Sequence, residues 1–567
     1  MIKQIGMKPS LAVIGSALIL ILAMGLFYQS WSYPFILDDI NKIQNNPDLR
    51  APKFSLDLWL QSYAEVRDHA RNDPSRPLTF FLYWLCWQVG GGATEPFHIL
   101  NTLIHAVCAI LFGLLAAGIA VNQLQRPYVY WAFFAASLLF LTLPINTGTV
   151  IYTYGLSDVL SALFALWILL IVSRPTALGV KLNLLTIFLF FLALTTKQSS
   201  VVIPAMILAV NHRQWRSALV LLGMASIYVL ARWTFFGRIG DLEAHEVYPF
   251  WDYLGSQGVL YFKYIRLAIW PDHLTLDHAV FPRFYPTSLR IASWLVWLFL
   301  TLASGWVVLN NRMGMKRVIA AGWLIFVLAL IPTSSIFATT DLFVERRAYL
   351  AVSGLILIFF TLAVWVEDKK PHWGKALVGL ALIFATHQTW QRTEIFSKKE
   401  NVWREVLKVY PGDTRARMNL STAYLEKGQW QDAKEILDQL LQEEPRNFQA
   451  WSNLGTIYHS DRSPFHSPDL ALRSYRNALE IEPDHVNSLS NAGFLFLMIK
   501  EPEEAISLFR RALELSPRSP QFHYGLGQAN LMKGNRDEAV RSFEQALIFD
   551  PGFKKARESL QGLASKK

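Results

Sequence analysis

The chain has 567 residues, of which 53% are hydrophobic and 14% aromatic, so it is more apolar than soluble domains of ordinary composition. Its formal net charge is +10, but the basic residues sit mostly between apolar segments, which membrane topology explains better than nucleic-acid binding does. The two cysteines, Cys86 and Cys108, lie in or near apolar stretches, which excludes a disulfide framework and a cysteine-based zinc site in the polar regions.

Eleven apolar segments predict a polytopic bundle of membrane helices over 1–394, because a helix needs roughly 20 apolar residues to cross a bilayer. The first segment follows Lys3 and Lys8, and we interpret it as an uncleaved span rather than a signal peptide. Two short segments in the middle indicate a broken or shallow pair. The predicted spans are 10–28, 97–120, 129–144, 149–172, 182–195, 199–211, 216–235, 290–309, 317–332, 347–366 and 374–391.

Basic residues recur in alternate loops and predict the orientation of the bundle. The positive-inside rule places these loops, and with them the N-terminus, in the cytoplasm. An odd number of spans then puts the C-terminal region on the opposite face. That face also has two long loops, about 29–78 and 236–290, whose size indicates a built site. The orientation depends on Lys3, Lys8, Arg126, Arg174, Lys181, Arg213, Arg216, Arg312, Lys316, Arg317, Lys369, Lys370 and Lys375.

From Trp403 the pattern changes to that of soluble amphipathic helices. Prolines recur with a spacing close to 34 residues, and Trp451-x-x-Leu454-Gly455-x-x-Tyr458 resembles the tetratricopeptide repeat. The predicted fold is therefore all-α, with a polytopic membrane helix bundle followed by a C-terminal tetratricopeptide-repeat superhelix. We place a connecting helix or degenerate repeat at 395–413, four repeats at 414–447, 448–485, 486–519 and 520–553, and a C-terminal cap up to residue 567.

An acidic pair, Asp38 and Asp39, follows the first span at its outer edge. A carboxylate at a dry rim can deprotonate an acceptor hydroxyl, with its pKa set by burial. Its neighbour can bind a metal or orient a lipid phosphate. A solvated loop pair is the alternative interpretation of two adjacent aspartates.

Further polar residues occur beside or within the apolar segments. Arg76 suits a phosphate, because a guanidinium binds it bidentately. Asp158 lies inside the fourth predicted span, where a carboxylate is either functional or paired. Lys197 lies between the two short segments, and Arg266 lies on a predicted interfacial helix. Arg346 opens the tenth span and either binds a lipid phosphate or snorkels to the membrane surface.

Three residues near the start of the second span, His98, Asn101 and His105, share one helix face. Two histidines at this spacing can form part of a ligand set. They are equally compatible with a helix-packing face whose polar groups are satisfied by neighbours.

Taken in chain order, these motifs resemble the transmembrane and tetratricopeptide-repeat-containing O-mannosyltransferase family and its bacterial relatives, within the GT-C glycosyltransferase superfamily. The resemblance covers nearly the whole chain. The motifs that carry it are Phe35-Ile36-Leu37-Asp38-Asp39, Asn45-Asn46-Pro47, Arg76-Pro77-Leu78, His98-x-x-Asn101-x-x-x-His105, Gly155-x-x-Asp158, Thr196-Lys197, Tyr264-x-Arg266-Leu267 with Pro271, and Glu345-Arg346.

The resemblance implies a polyprenyl-phosphate-linked sugar donor and an acceptor at the outer face of the membrane. It implies that one of Asp38 and Asp39 is the catalytic base. Whether a divalent metal takes part stays open. The remaining candidates are Arg76, Lys197, Arg266 and Arg346 for the donor phosphate, and His98, Asn101, His105, Asp158 and Glu345 as residues lining the site.

Asn419, Asn453 and Asn491 each occupy the sixth position of a repeat, which faces the concave groove. An amide both donates and accepts, so such a ladder can bind an extended peptide backbone without reading its sequence. The alternative is that asparagine is simply common at this position, and the fourth repeat has Gly525 there.

Together these features predict an inverting glycosyltransferase of a bacterial inner membrane that modifies Ser or Thr of an exported protein. The expected partners are membrane lipid, the polyprenyl-linked sugar donor and an exported acceptor protein held by periplasmic repeats, with no nucleic acid. Two alternatives stay open: a transferase of the same fold that acts on a lipid or polysaccharide, and a non-catalytic scaffold for envelope assembly. A transporter is less favoured, because the charged residues gather at one rim.

Overall fold

The computed structural model describes residues 7–55, 75–123, 128–173, 180–237, 248–280, 285–310, 314–334 and 341–564. The described residues form helices and turns, with no strand among them. The chain divides into two compact units, Met1–Val402 and Trp403–Lys567. Parts of both long loops, and the orientation residues Lys3, Arg126, Arg174 and Arg312, lie outside the described residues.

The first unit is a bundle of apolar helices that pack around one continuous core. Its helices are α1 (Pro9–Phe27), α2 (Pro77–Gly90), α3 (Glu95–Gln123), α4 (Val129–Thr142), α5 (Pro144–Ile151), α6 (Leu156–Val172), α7 (Val180–Leu194), α8 (Ile203–Val210), α9 (Trp215–Phe236), α10 (Phe250–Ile269), α11 (Thr287–Asn310), α12 (Met315–Leu330), α13 (Ala348–Lys369) and α14 (Trp373–Ile395).

The structure does not confirm the prediction of eleven spans. Among the described residues, 7 helices are long and apolar enough to cross a membrane, or up to 8 if a bent pair counts as one span. The stretches Asn183–Leu194 and Gln198–Val210 are too short. Helix α14 falls outside the set because its second half carries polar side chains such as Gln388 and Arg392, which lower its hydropathy.

The bent pair consists of α4 and α5, whose axes differ by 61°. Pro144 begins α5, and Leu143 before it is extended, because a proline lacks the amide hydrogen that would continue the preceding helix. All residues of α5 are buried. The chain then turns at Thr153–Gly155, where Gly155 approaches Thr149 so closely that a Cβ would lie 2.3 Å from the Thr149 carbonyl oxygen. This bend and turn deliver Tyr152 to the acidic pair.

The second unit consists of paired amphipathic helices. Their small residues make room for aromatic rings, as where Gly455 packs on Tyr475 and Gly527 on Phe543. Asp413 and Asn447 cap two of the helices, each accepting a hydrogen bond from a backbone N–H in the first turn. The helices are α15 (Lys399–Val409), which crosses the boundary between the units, α16 (Thr414–Glu426), α17 (Trp430–Glu443), α18 (Phe448–His459), α19 (Pro468–Ile481), α20 (Val486–Met498), α21 (Pro502–Leu515), α22 (Pro520–Lys533), α23 (Arg536–Phe549) and α24 (Lys554–Ala564).

Candidate active site

Asp39 is held by the backbone on both sides of the site. Its Oδ1 accepts a hydrogen bond from the N–H of Tyr154 at 2.7 Å. Its Oδ2 accepts from the N–H groups of Thr153 at 3.3 Å and Ile36 at 3.4 Å. Burial raises the pKa of Asp39 to about 8, although these backbone hydrogen bonds act in the opposite direction. The carboxylate therefore ties the loop after α1 to the turn before α6.

Asp38 is partly buried and has a different partner. Its Oδ2 accepts a hydrogen bond from the hydroxyl of Tyr152 at 2.6 Å, and its backbone N–H donates to the same hydroxyl oxygen at 3.2 Å. Leu37, directly before it, has a φ of 51°, in the left-handed region that non-glycine residues rarely adopt. Of the two aspartates, Asp38 is the one whose carboxylate is more accessible to a substrate.

Three of the four cations predicted for a phosphate lie near one another. Lys197 forms an ion pair with Asp158, and both side chains are about nine-tenths buried. Lys197 is also within electrostatic range of Arg76 and Arg346. Burial lowers the pKa of Lys197 to about 8, and Asp158 opposes that shift. Arg76, Lys197 and Arg346, which are far apart in sequence, thus form one cationic cluster.

Arg346 connects this cationic cluster to the acidic pair. Its guanidinium lies 5.9 Å from the centre of the Tyr152 ring, and it is within electrostatic range of Asp38 and Asp158. A small cleft beside it is lined by Asp158, Arg346 and Tyr349. Carboxylate, phenol and guanidinium groups therefore share one partly enclosed space.

Arg266 is placed differently from the other three candidate cations. Near the end of α10 it forms an ion pair with Asp272, with Nη2 and Oδ2 2.5 Å apart, and its side chain is 49% exposed. The structure therefore gives no support to the prediction that Arg266 binds the same phosphate as Arg76, Lys197 and Arg346.

The polar face of α3 serves helix packing. His98 Nε2 lies 3.2 Å from the carbonyl oxygen of Tyr33, and the amide of Asn101 donates to the carbonyl of Val150 at 3.2 Å. His105 contacts the hydroxyl of Tyr349 through Nδ1 at 2.6 Å. Within the described part of the chain, no group of three or more His, Cys, Asp or Glu side chains is placed to hold a metal ion.

Glu345, the residue before Arg346, organises a second buried network. Its Oε2 lies 2.6 Å from Nη2 of Arg392, and its Oε1 lies 2.8 Å from Nε2 of His278. The same Oε1 accepts a hydrogen bond from the backbone N–H of Thr275 at 2.7 Å. Lys263 Nζ lies 3.2 Å from Nδ1 of His278, so the neutral imidazole accepts from the lysine and donates to Glu345.

Burial lowers the pKa of His278 to about 4, although its hydrogen bond to Glu345 opposes that shift. Burial also lowers the pKa of Lys263 to about 8, and Glu345 again opposes. The network therefore contains a neutral histidine between charged groups.

Sequence reasoning missed Tyr152, His278 and Arg392. Tyr152 is one aromatic residue in an apolar stretch, so its contact with Asp38 leaves no local signal. Arg392 carries a usable signal, because it directly follows an apolar helical stretch, where a charged side chain needs a partner or access to water.

The bundle also contains an apolar cavity of about 580 Å³ between α4, α10, α11, α12, α13 and α14. Its lining includes Leu143, Ile269, Trp323, Phe359 and Phe384. Helix α13, which contributes to this lining, begins directly after Glu345-Arg346-Arg347. An apolar chain up to the size of the cavity fits here without burying polar groups.

The three repeat asparagines use their amides in two ways. Asn453 donates to Oγ1 of Thr422 in the preceding repeat at 3.2 Å, and Asn491 donates to Oγ1 of Thr456 at 3.4 Å. Asn419 donates to the carbonyl of Arg415 in its own helix at 2.9 Å. Two of the amides therefore link neighbouring repeats along the groove.

Comparison with known proteins agrees with these features. Tetratricopeptide repeat profiles match residues 401–456, 466–520 and 500–552. The protein O-mannosyl-transferase F38B6.6 of Caenorhabditis elegans is 24% identical over 428 residues, which cover 70% of this chain and 58% of the relative. The protein O-mannosyl-transferase TMTC4 of Mus musculus is 24% identical over 472 residues, covering 71% of this chain and 63% of the relative.

The crystal structure of TTC0263, a thermophilic TPR protein of Thermus thermophilus, is also similar. It is 20% identical and covers 35% of this chain and 97% of its own, with a TM-score of 0.26. The resemblance predicted from the sequence motifs is confirmed: the chain is homologous to the protein O-mannosyl-transferases and carries C-terminal tetratricopeptide repeats. The match spans only about three fifths of the length of these two relatives, 58% and 63%.

Proposed function

We propose, from this homology, that the chain is a membrane glycosyltransferase that moves a sugar from a polyprenyl-phosphate-linked donor to a Ser or Thr hydroxyl of an exported protein. The observation that carries the proposal is that Asp38 and Arg346 both contact Tyr152. Oδ2 of Asp38 lies 2.6 Å from the Tyr152 hydroxyl, and the Arg346 guanidinium lies 5.9 Å from the centre of the ring. A base for the acceptor and a cation for the leaving phosphate are the two groups that such a transfer requires.

Asp38 is the base in this proposal. Its carboxylate takes the proton of the acceptor hydroxyl while that oxygen forms a bond to C1 of the sugar. The bond from C1 to the lipid phosphate breaks, and its electron pair leaves with the phosphate. Attack from the face opposite the leaving group inverts the configuration at C1. Asp39 takes no part in proton transfer in this proposal, because it is buried, with 1% exposure, and its carboxylate is directed at three backbone N–H groups.

The leaving phosphate is stabilised by Arg76, Lys197 and Arg346. Charge-assisted hydrogen bonds from such groups are the strong ones, and they gain further in a site from which water is excluded. Lys197 is paired with Asp158 in the described structure. Binding of a phosphate would therefore add a second anion to a lysine that is already oriented, so little rearrangement is needed.

The apolar cavity supports a lipid-linked donor rather than a free nucleotide sugar. With a volume of about 580 Å³ and a nearly all-apolar lining, it suits part of a polyprenyl chain. Helix α13 lines the cavity, and Arg346 lies in the turn directly before it, so this segment contacts both the polyprenyl chain and the donor phosphate in this proposal.

The repeats are proposed to hold the acceptor protein, and the site is proposed to face the outside of a bacterial inner membrane. The basic residues Lys316 and Lys375 lie in the first turns of α12 and α14, at the ends that are assigned to the cytoplasm. Asn453 and Asn491 keep an amide oxygen for a peptide backbone while their nitrogens bond to threonines.

The proposal is tested by intact-mass measurement of exported proteins from three strains, with the native chain, with a deletion, and with Asp38→Asn. We expect at least one protein to lose a hexose-sized or larger mass in both altered strains. Unchanged masses throughout would contradict transfer to protein and direct the search to a lipid or polysaccharide acceptor.

A further inference from the structure

Tyr152 has an unusual set of contacts for a buried tyrosine. Its hydroxyl donates to Oδ2 of Asp38 and also accepts from the backbone N–H of Asp38, at 2.6 and 3.2 Å. One phenol oxygen thus fixes both the side chain and the main chain of the same residue. The guanidinium of Arg346 lies over the ring of the same tyrosine, 5.9 Å from its centre.

Tyr152 is itself held rigidly. Its backbone N–H donates to the carbonyl of Gly148 at 2.9 Å, and its own carbonyl accepts from Gly155 N–H at 2.9 Å and from the Asn101 amide at 3.5 Å. The side chain is 1% exposed. A group on such a support holds its partner more precisely than a group on a free loop.

The loop that Tyr152 holds is strained. Leu37 has a φ of 51°, which is unfavourable for a non-glycine residue and persists only where the surroundings impose it. Asp39, bound by Thr153 and Tyr154, holds one side of this loop. The Tyr152 hydroxyl is the contact that acts on Asp38 itself.

We propose that Tyr152 is a positioning residue for the transfer reaction, which aims the carboxylate of Asp38 at the acceptor hydroxyl through its two hydrogen bonds. This inference rests on the proposed function. Because the phenol binds Oδ2, Oδ1 is the oxygen that takes the acceptor proton in this proposal, while Oδ2 stays bound.

Tyr83 offers a matched control. It is also a buried tyrosine, and its hydroxyl donates to the carbonyl of Thr153 in the same turn at 3.2 Å. Tyr152→Phe and Tyr83→Phe each remove one hydroxyl from the surroundings of that turn, and only the first removes a contact to Asp38.

The test measures kcat, KM for both substrates and thermal unfolding of the full-length chain in detergent. The substrates are a polyprenyl-phosphate-linked mannose and a Ser/Thr-rich peptide. We expect Tyr152→Phe to lower kcat about tenfold or more, since a hydrogen bond to a charged group is lost, with both KM values changed less than about threefold. Tyr83→Phe should change kcat less than about threefold with a comparable shift in Tm.

Equal losses of kcat in the two variants, or native kcat in Tyr152→Phe, would overturn the inference while leaving the proposed function in place. No transfer by the native chain with this donor and peptide would instead overturn the proposed function, and the positioning role with it. A rise in KM at unchanged kcat would also contradict positioning, since it would assign Tyr152 to substrate binding.

Discussion

Glu345 and Arg392 form a buried ion pair, with Oε2 and Nη2 2.6 Å apart and side chains that are 6% and 5% exposed. The pair joins the start of α13 to α14, and Glu345 also binds His278 and the backbone of Thr275. Because Glu345 directly precedes Arg346, this network fixes the backbone from which the proposed phosphate-binding guanidinium extends.

Replacing only one residue of the Glu345–Arg392 pair should destabilise the protein more than replacing both. Arg392→Met leaves the Glu345 carboxylate without its strongest partner, and we expect a loss of about 3–5 kcal/mol in the free energy of unfolding. The double variant Glu345→Gln with Arg392→Met should recover part of that loss. Thermal unfolding in detergent measures both. Additive losses in the double variant would contradict a coupled pair.

His278 should contribute a loss of stability to the membrane unit on acidification, opposite in sign to the contribution of Asp39, whose pKa is raised. The folded-state pKa of His278, about 4, lies below the ordinary value of 6.5, so the folded state resists protonation. The contribution of neutral His278 to the free energy of unfolding is therefore complete above about pH 6.5, and it is lost as the pH falls towards 4. In His278→Gln, whose amide still donates to Glu345, the Tm should fall less between pH 7 and pH 4. Parallel curves would show that another group is responsible.

Leu37 provides a test of strain at the acidic pair. Leu37→Ile conserves volume but adds a branch at Cβ, which makes a positive φ still less favourable. We expect Leu37→Ile to destabilise the protein by about 1 kcal/mol or more and to lower transfer, while the unbranched Leu37→Met costs less. Thermal unfolding and initial rates measure the two effects. Equal behaviour of the two variants would contradict a backbone held at this φ.

The repeat asparagines can be tested separately from the threonines they contact. Asn491→Ala removes both the link to Thr456 and the amide that is proposed to bind peptide. Thr456→Val removes the link, together with the contacts of the Thr456 hydroxyl to Tyr475 and Ser452, but keeps the amide. We expect Asn491→Ala to weaken binding of a Ser/Thr-rich peptide to the full chain about threefold to tenfold. Thr456→Val should leave Kd nearly unchanged. Equal effects would mean that the amides serve repeat packing alone.

The repeats and most of the membrane helices could be predicted from the sequence. The repeats have a regular spacing, and the membrane helices are long apolar runs. The acidic pair and the nearby cations were also visible, since charged residues beside apolar segments require partners. The partners themselves were not visible: Tyr152 reaches Asp38 only because α4 bends into α5 at Pro144. Similarly, Arg392 meets Glu345 across 47 residues of sequence. Such contacts depend on helix packing rather than on any local pattern.

The most direct measurement compares Asp38→Asn with Asp39→Asn in purified full-length chain, recording turnover and thermal unfolding together. We expect Asp38→Asn to keep the native Tm and to lose about a hundredfold or more in kcat, as removal of a general base does. Asp39→Asn should lower the Tm, because its NH2 group faces backbone N–H donors, while each folded molecule keeps most of its turnover. Near-native turnover in Asp38→Asn would contradict the assignment of Asp38 as the base.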